Sequence, residues 1–286
     1  MVSTVEVEGR SLALTNLDKV LWPRTGTTKA ELIEYYVAVA SVLLPHLERR
    51  PLTLRRFPDG VEGISWHQNE IQQEPDWFPV FETSGRGGRR LRFATVDGLA
   101  SLVWLANQAA IELHPFLWRV ERPREPEQLV LDLDPGPPAG LLEAARVALL
   151  LRPLVEELGL EPYVKTSGSL GLHVQARLRE PLDTKGAARQ LAERLAEERP
   201  NEVVAEMRRE ARCGKVFVDW LQNDVTRQTV APYSLRGLAY PAVATPVRWE
   251  EVERAGGEGR PDSLVFTRSD VLERVEREGD LFAALR

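Results

Sequence analysis

The chain has 286 residues, of which 43% are hydrophobic and 28% charged, so it can bury a sizeable core as one large domain or two packed lobes. A formal net charge of −6 gives no overall attraction to nucleic acid, and the single cysteine, Cys213, excludes an internal disulfide and argues against a thiolate zinc site. No stretch approaches the roughly 20 apolar residues of a membrane span, so we expect a cytoplasmic protein without a membrane partner.

Capping signals and hydrophobic spacing predict helices and strands along the chain. Thr28 and Glu31 have the spacing of a capping box, which predicts a helix from there to about Pro45. Two further apolar segments are predicted helices, 98–113 and 141–158. Short apolar runs predict strands at 129–134, 163–165, 172–176 and 216–219. Strands separated by helices indicate an α/β (α+β) fold.

The domain organisation is predicted to be simple. We find no repeat, no low-complexity tract and no convincing linker, so we expect one catalytic domain over residues 1–286. Residues after about 246 are expected to form a C-terminal helical tail.

Two aspartates at the end of a predicted strand suggest a cation site. The period of two along a strand puts Asp132 and Asp134 on one face, about 6.5–7 Å apart along the backbone. Side-by-side carboxylates repel each other unless protons or cations intervene, and oxygen ligands suit Mg²⁺ or Mn²⁺. Asp219, which ends another predicted strand, is a candidate third ligand or a helix N-cap.

The segment "KTSGSLGLH", residues 165–173, has the glycines and hydroxyls of an anion-binding turn. Backbone N–H groups near Ser167 and Gly168 could contact a phosphate, and His173 could donate a hydrogen bond to it. The Walker pattern is absent, and a structural role for this turn stays open.

Two basic segments stand out in the acidic chain, "ERRPLTLRRF" and "SGRGGRRLR". Because salt limits the electrostatic reach of a charge to roughly 8–10 Å, local basic strips can bind phosphates even on an acidic protein. A solvated surface is the alternative interpretation of both.

Seven segments taken in order resemble one family. They are "LTNLDKVLWP", "TTKAEL", "NQAAIELH", "LVLDLDPG", "TSGSLGLHV", "GKVFVDWLQN" and "APYSLRG". Together, from about Leu14 to Glu251, they are similar to the polymerase domain of bacterial ligase D, in the archaeo-eukaryotic primase superfamily. The resemblance implies a two-lobed primase-like fold, with mixed sheets and flanking helices around a central cleft. It also implies a nucleotidyltransferase that extends DNA 3′ ends at gaps or breaks during end joining, preferably with ribonucleotides.

The resemblance also implies roles for individual residues in binding metal and nucleotide. Asp132, Asp134 and Asp219 would be the catalytic carboxylates that hold two Mn²⁺ or Mg²⁺ ions. The implied contacts to the NTP or dNTP substrate fall on the triphosphate, the sugar and a base: Ser167, His173, Arg236, Lys165, His114, Gln222 and Trp66. His114 and Gln222 are expected at the sugar, Trp66 is expected to stack on a base, and Lys165 could strengthen the triphosphate site.

Contacts to DNA and partner proteins follow from the same resemblance. Lys19 and Lys29 would hold the 5′-phosphate across a gap, and Arg55 and Arg56 would lie near the nucleotide or template. The loop 84–90, with Arg86 and Arg89, falls where related domains bring two DNA ends together, which implies a dimer bridged by DNA. No ligase or nuclease domain fits this length, so Ku and a separate ligase are the expected partners.

Three positions depart from the family pattern. Leu170 stands where a lysine usually follows "SGS", Gln68 where a lysine is common, and Ser65 where a phenylalanine often precedes the stacking aromatic. Leu170 motivates an alternative, a DNA-end-binding scaffold with weak or lost polymerase activity. A phosphatase built on "DLD" is disfavoured because Gly136 occupies the position of its Thr or Val.

Overall fold

A computed structural model describes residues 2–286, apart from the side chain of Arg86, and divides them into two compact units. Unit 1 comprises the described residues up to Pro123 together with Gln228–Ala242 and Thr267–Gly279. Unit 2 comprises Arg124–Arg227, Val243–Phe266 and Asp280–Arg286. The expectation of one catalytic domain stays a prediction.

The strands of unit 1 form three small sheets. In chain order they are β1 (Val2–Val7), β2 (Arg10–Thr15), β3 (Val20–Trp22), β4 (Thr27–Thr28), β5 (Leu52–Arg56), β6 (Trp66–Gln68), β7 (Val80–Ser84), β8 (Arg90–Ala94) and β9 (Ala110–Pro115). β1 pairs with β2, and β3 with β4. The largest sheet has the order β6–β5–β8–β7, and β9 also pairs with β5.

Unit 2 is built on one sheet. Its strands are β10 (Gln128–Pro135), β11 (Pro162–Thr166), β12 (Leu172–Arg177), β13 (Val203–Val204), β14 (Val216–Asp219) and β15 (Pro246–Val247). The order is β13–β14–β10–β12–β11–β15, and every pairing is antiparallel except β13–β14.

Helices accompany the sheets of both units. In chain order they are α1 (Lys29–Ala38), α2 (Ala40–Leu47), α3 (Leu99–Asn107), α4 (Leu141–Glu157), α5 (Thr184–Glu198), α6 (Trp249–Glu258) and α7 (Arg268–Glu278). Short 3₁₀ turns lie at Arg86–Gly88, Arg209–Arg212, Trp220–Asn223, Pro261–Leu264 and Ala283–Leu285. Of the two helices after residue 246, α6 belongs to unit 2 and α7 to unit 1.

The first predicted helix is two helices. Thr28 is the N-cap of α1, with the reciprocal hydrogen bonds to Glu31 that the capping box predicts. The chain then bends by 81° at Val39, between α1 and α2.

No single helix within residues 2–286 is long and apolar enough to span a membrane. The bent α1–α2 pair meets that test by length and composition, and its large apolar side chains are mostly buried.

The prediction of one helix over 98–113 is wrong in its second half. α3 ends at Asn107, Ala109 has a left-handed backbone with φ of 54°, and β9 follows. All residues of β9 except His114 are buried, so its sequence lacks the alternation that marks a half-exposed strand. An apolar run of this kind has the same pattern in a buried helix as in a buried strand.

In unit 2 the alternation along each strand separates a core face from a polar face. Leu131 and Leu133 of β10 lie in the core under α4 and α5, with Leu172 and Val174 of β12. The intervening residues face the other side of the sheet. This second face carries the polar residues of the candidate site.

Candidate active site

Four polar residues form a row across the sheet of unit 2. Lys165 of β11 is opposite His173 of β12, His173 is opposite Asp132 of β10, and Asp132 is opposite Asp219 of β14. Residues opposite each other in antiparallel strands project to the same face. His173 Nε2 lies 3.3 Å from Asp132 Oδ1, and Lys165 is fully buried. The register therefore brings together residues that are up to 87 positions apart in sequence.

Asp132, Asp134 and Asp219 form a carboxylate cluster. One oxygen from each lies within 4.8 Å of the other two. Three oxygen donors of this kind suit a hard divalent cation such as Mg²⁺ or Mn²⁺. Asp132 is almost fully buried whereas Asp134 is exposed, so the cluster could bind a cation while remaining open to a substrate on one side.

Asp219 combines a structural contact with its place in the cluster. Its Oδ1 accepts the N–H of Leu221 at 3.0 Å, so it is also the N-cap of the 3₁₀ turn that follows. Burial raises the pKa of Asp219 and outweighs that N–H and the charges of Arg212 and Arg227. The amide of Gln222 donates to Asp219 Oδ2 at 3.3 Å, which places this predicted sugar contact beside the carboxylate cluster.

The turn between β11 and β12 is organised by Ser167. Its hydroxyl accepts the N–H groups of Ser169 and Gly171, each at 3.2 Å, and its own N–H donates to the carbonyl of Gly171 at 2.9 Å. Gly168 has a φ of 72°, a left-handed conformation that glycine adopts without strain. Leu170 at the tip is 56% exposed. The turn therefore places Ser167 directly after β11, the strand that carries Lys165.

Unit 1 contains a second polar cluster, centred on Glu112 of β9. Its Oε1 accepts hydrogen bonds from Arg55 Nη1 at 3.1 Å and from the N–H of Gly237 at 2.9 Å. Its Oε2 lies 2.9 Å from His114 Nε2 and 3.3 Å from Arg236 Nε. The structure thus gathers three predicted site residues, Arg55, His114 and Arg236, around one carboxylate.

Electrostatics keep Glu112 ionised. Burial alone would raise its pKa, but the hydrogen bond with His114 and the charge of Arg236 outweigh it and lower the pKa of Glu112 to about 2. Burial lowers the pKa of His114, and Arg236 and His67 add to that effect. Sequence reasoning missed Glu112; its only signal is its place two residues before His114 on one strand face.

The two predicted phosphate-binding lysines lie close together in unit 1. The N–H of Lys29 donates to the carbonyl of Lys19 at 2.8 Å. The Lys29 ammonium donates to the carbonyl of Thr15 at 2.6 Å, and Lys19 Nζ pairs with Asp59 at 2.8 Å. Burial lowers the pKa of Lys29 to about 8, and the nearby charges of Lys19 and Arg56 contribute. The pair combines a buried cation, Lys29, with a half-buried one, Lys19.

Arg56 and Trp66 form a separate contact on β5 and β6. The guanidinium carbon of Arg56 lies 5.5 Å from the centre of the Trp66 ring, within cation–π range. Arg56 also donates to the carbonyl of Gln108 at 2.8 Å and to the side chain of Gln68 at 3.0 Å. Trp66 is 41% exposed, so it is not a core residue, and its ring is accessible to a stacking partner.

Carboxylates accompany the basic residues of the loop that begins at Ser84. Arg89 pairs with Glu70, and Arg90 pairs with Glu82. The side chain of Arg86 lies outside the described residues. A DNA-binding role for this loop stays a prediction, and Arg89 and Arg90 would meet DNA with part of their charge already compensated.

Comparison with known proteins agrees with the resemblance seen in the sequence. Residues 28–282 match the family described as LigD, primase-polymerase domain. The chain is 38% identical to the multifunctional non-homologous end joining protein LigD of Mycolicibacterium smegmatis, over 95% of this chain and 36% of that protein. It is 39% identical to the multifunctional non-homologous end joining DNA repair protein LigD of Mycobacterium tuberculosis H37Rv, over 96% of this chain and 37% of that protein.

The fold of this chain is similar to that of a solved structure. The polymerase domain from Mycobacterium tuberculosis Ligase D in complex with DNA matches with a TM-score of 0.88 and 38% identity, covering 96% of this chain and 97% of that chain. This confirms the predicted α/β fold class and the predicted family. The chain spans little more than a third of the length of the curated mycobacterial relatives, at 36% and 37%. It belongs to the LigD primase-polymerase domain family and is a nucleotidyltransferase of that family.

Proposed function

We propose that this chain is a primer-dependent polymerase that adds nucleotides, preferably ribonucleotides, to DNA 3′ ends at gaps or breaks during end-joining repair. The observation that carries the proposal is the carboxylate cluster of Asp132, Asp134 and Asp219, found in a member of the LigD primase-polymerase family. Its three intact carboxylates favour catalysis over a scaffold that binds DNA ends without adding nucleotides.

The three aspartates would hold two Mn²⁺ or Mg²⁺ ions. Such ions, when bound, lower the pKa of a primer 3′-hydroxyl and stabilise the pyrophosphate that leaves the α-phosphate. The protein's part is to fix the carboxylates. Asp132 and Asp219 lie opposite each other in register on β10 and β14, which limits their movement.

Residues beside the cluster would bind the triphosphate. His173 neighbours Asp132 on the next strand, Lys165 belongs to the strand beyond it, and Ser167 begins the turn that follows that strand. An imidazole N–H, a hydroxyl and an ammonium are all hydrogen-bond donors suited to phosphate oxygens. The family resemblance also implies a triphosphate contact for Arg236, whose guanidinium has a planar fork that matches phosphate geometry.

Sugar selection would depend on His114 and Gln222. Both side chains can form hydrogen bonds with a ribose hydroxyl, and the 2′-hydroxyl distinguishes an NTP from a dNTP. Trp66 would stack on a base, a contact worth roughly 1–3 kcal/mol.

DNA recognition would use residues of unit 1. The adjacent Lys19 and Lys29 offer two ammonium groups to a 5′-phosphate, and Arg55 and Arg56 lie on the strand beside Trp66. Arg86 and Arg89 would contact a second DNA end and so support a dimer bridged by DNA. We propose that Ku presents the ends and that a ligase activity outside these residues seals them.

The experiment is an extension assay on a duplex with a short gap and a 5′-phosphate, with Mn²⁺ or Mg²⁺ and each NTP or dNTP in turn. We expect extension that is faster with ribonucleotides and that requires the 5′-phosphate for full affinity. Absence of extension by the wild-type chain, or equal extension by the Asp132→Asn/Asp134→Asn variant, would refute the proposal. Glu193→Gln on the exposed face of α5 is the matched control for loss of a carboxylate.

A further inference from the structure

Glu112 is a buried carboxylate that has no part in the nucleotide contacts proposed above. We propose that Glu112 is a positioning residue that fixes His114 as the Nε2–H tautomer, so that His114 Nδ1 accepts a hydrogen bond from a sugar hydroxyl of the incoming nucleotide. The tautomer follows from the contacts within unit 1, whereas the sugar contact rests on the proposed function.

The tautomer is determined by what surrounds the carboxylate. Arg55 and the Gly237 N–H donate to Oε1, and the guanidinium of Arg236 lies next to Oε2. An ionised carboxylate in such surroundings can only accept hydrogen bonds. His114 Nε2, at 2.9 Å from Oε2, must therefore carry the proton and donate it.

The other ring nitrogen of His114, Nδ1, is then a hydrogen-bond acceptor. In a neutral imidazole with a proton on Nε2, Nδ1 carries a lone pair and accepts. Burial lowers the pKa of His114 and, with the charges of Arg236 and His67, outweighs the raising effect of Glu112, which favours this neutral form at pH 7. No hydrogen bond to Nδ1 occurs within the described residues, and the side chain keeps 15% of its surface exposed. A sugar hydroxyl can donate to this nitrogen.

Glu112→Gln tests the role because the amide must present its oxygen on one side and its NH₂ on the other. Two donors, Arg55 Nη1 and the Gly237 N–H, meet at the Oε1 position, so the amide oxygen belongs there. The NH₂ then faces His114 Nε2, which can avoid a donor–donor contact by moving its own proton to Nδ1. The substitution is expected to convert Nδ1 from an acceptor into a donor.

The first readout is the ¹⁵N spectrum of the imidazole rings, which distinguishes a protonated ring nitrogen from an unprotonated one. We expect Nε2–H for His114 in the wild type, Nδ1–H in Glu112→Gln, and Nε2–H again in Glu112→Asp. A wild-type Nδ1–H form, or an unchanged tautomer in Glu112→Gln, overturns the proposal. The wild-type spectrum decides the tautomer even if the variants fold poorly, and it does not depend on polymerase activity.

The second readout is discrimination between an NTP and its 2′-fluoro analogue, because fluorine cannot donate to an acceptor nitrogen. We expect the wild type to prefer the hydroxyl, and Glu112→Gln to reduce that preference about tenfold, mainly through KM. A switched tautomer with unchanged discrimination overturns the sugar contact. If the wild type extends no primer with any nucleotide, the proposed function fails, and the tautomer is still judged by the spectrum.

Discussion

His173 and Asp132 lie opposite each other on β12 and β10, with Nε2 of the histidine 3.3 Å from Oδ1 of the aspartate. His173, the candidate phosphate ligand, and Asp132, the candidate metal ligand, are thus paired residues on adjacent strands. The distance between them is set by the spacing of paired strands rather than by a loop. Conditions that disturb this pairing should affect metal and nucleotide binding together.

Loss of one carboxylate should remove the cation site without unfolding the sheet. Asp132→Asn keeps the size of the side chain but removes a charged ligand, so we expect Mn²⁺ affinity and primer extension each to fall by at least about 100-fold. Mn²⁺ binding followed by electron paramagnetic resonance measures the first effect independently of the second. Glu193→Gln should match the wild type in both, and retained Mn²⁺ binding by Asp132→Asn would contradict the assignment.

Leu170 should be replaceable by a lysine with a gain in nucleotide affinity. Its side chain is 56% exposed at the tip of the turn, so a longer cationic side chain can be accommodated. We expect Leu170→Lys to lower the KM for NTP about three- to tenfold at low salt, and less at high salt, because an exposed charge is screened. Leu170→Gln tests length without charge. Equal effects of the two substitutions would show that charge is not responsible.

Gly171 should be intolerant of a side chain. A Cβ at this position would lie 2.3 Å from the carbonyl oxygen of Leu133, a backbone atom of the strand that bears the two aspartates. We expect Gly171→Ala to lower the free energy of unfolding by about 1–3 kcal/mol and to weaken nucleotide binding. Gly257→Ala in α6 has open space around it and should raise stability by about 0.5–1 kcal/mol. Urea denaturation compares the two, and similar stabilities would contradict the predicted clash.

Recognition of a 5′-phosphate should weaken as the pH rises through about 8. Burial lowers the pKa of Lys29 to about 8, so its ammonium is mostly charged near pH 7, half charged near pH 8 and mostly neutral near pH 9. We expect the advantage of a 5′-phosphorylated gap over an unphosphorylated one to be largest near pH 7 and to decline by pH 9. Binding measured by fluorescence anisotropy across this range tests the decline.

Two substitutions control the pH experiment. Lys29→Met should remove both the phosphate advantage and its pH dependence. Lys185→Met, at a partly buried salt bridge with Asp224 in unit 2, should change neither. A pH dependence that persists in Lys29→Met would assign it to another group.

The sequence predicted the elements that carry the carboxylates because their patterns are local. Strand alternation placed Asp132 and Asp134 on one face, and the structure confirms that the two side chains lie together. Asp219 also joins them, although only strand pairing could bring it there. Asp219 pairs with Asp132 across antiparallel strands, and this pairing belongs to the tertiary structure, which no local sequence pattern encodes.

The parts that sequence reasoning missed depend on burial and on distant partners. The strand β9 was taken for the end of a helix because "AAIEL" is apolar without alternation. Glu112 gave no signal beyond its spacing from His114, since its partners Arg55 and Arg236 are 57 and 124 positions away. A buried carboxylate looks like any other glutamate until the residues that compensate its charge are placed around it.

The way the chain is divided between the two units also constrains the order in which they can be completed during synthesis. When the ribosome has released residues up to 227, unit 2 still lacks β15 and α6, and unit 1 still lacks Gln228–Ala242 and α7. Val247, Val252 and Leu264 belong to the core of unit 2, so a nascent chain exposes apolar surface where they will pack. Each unit takes its last segment from beyond Phe266, so a chain stalled or clipped before that residue leaves both units incomplete.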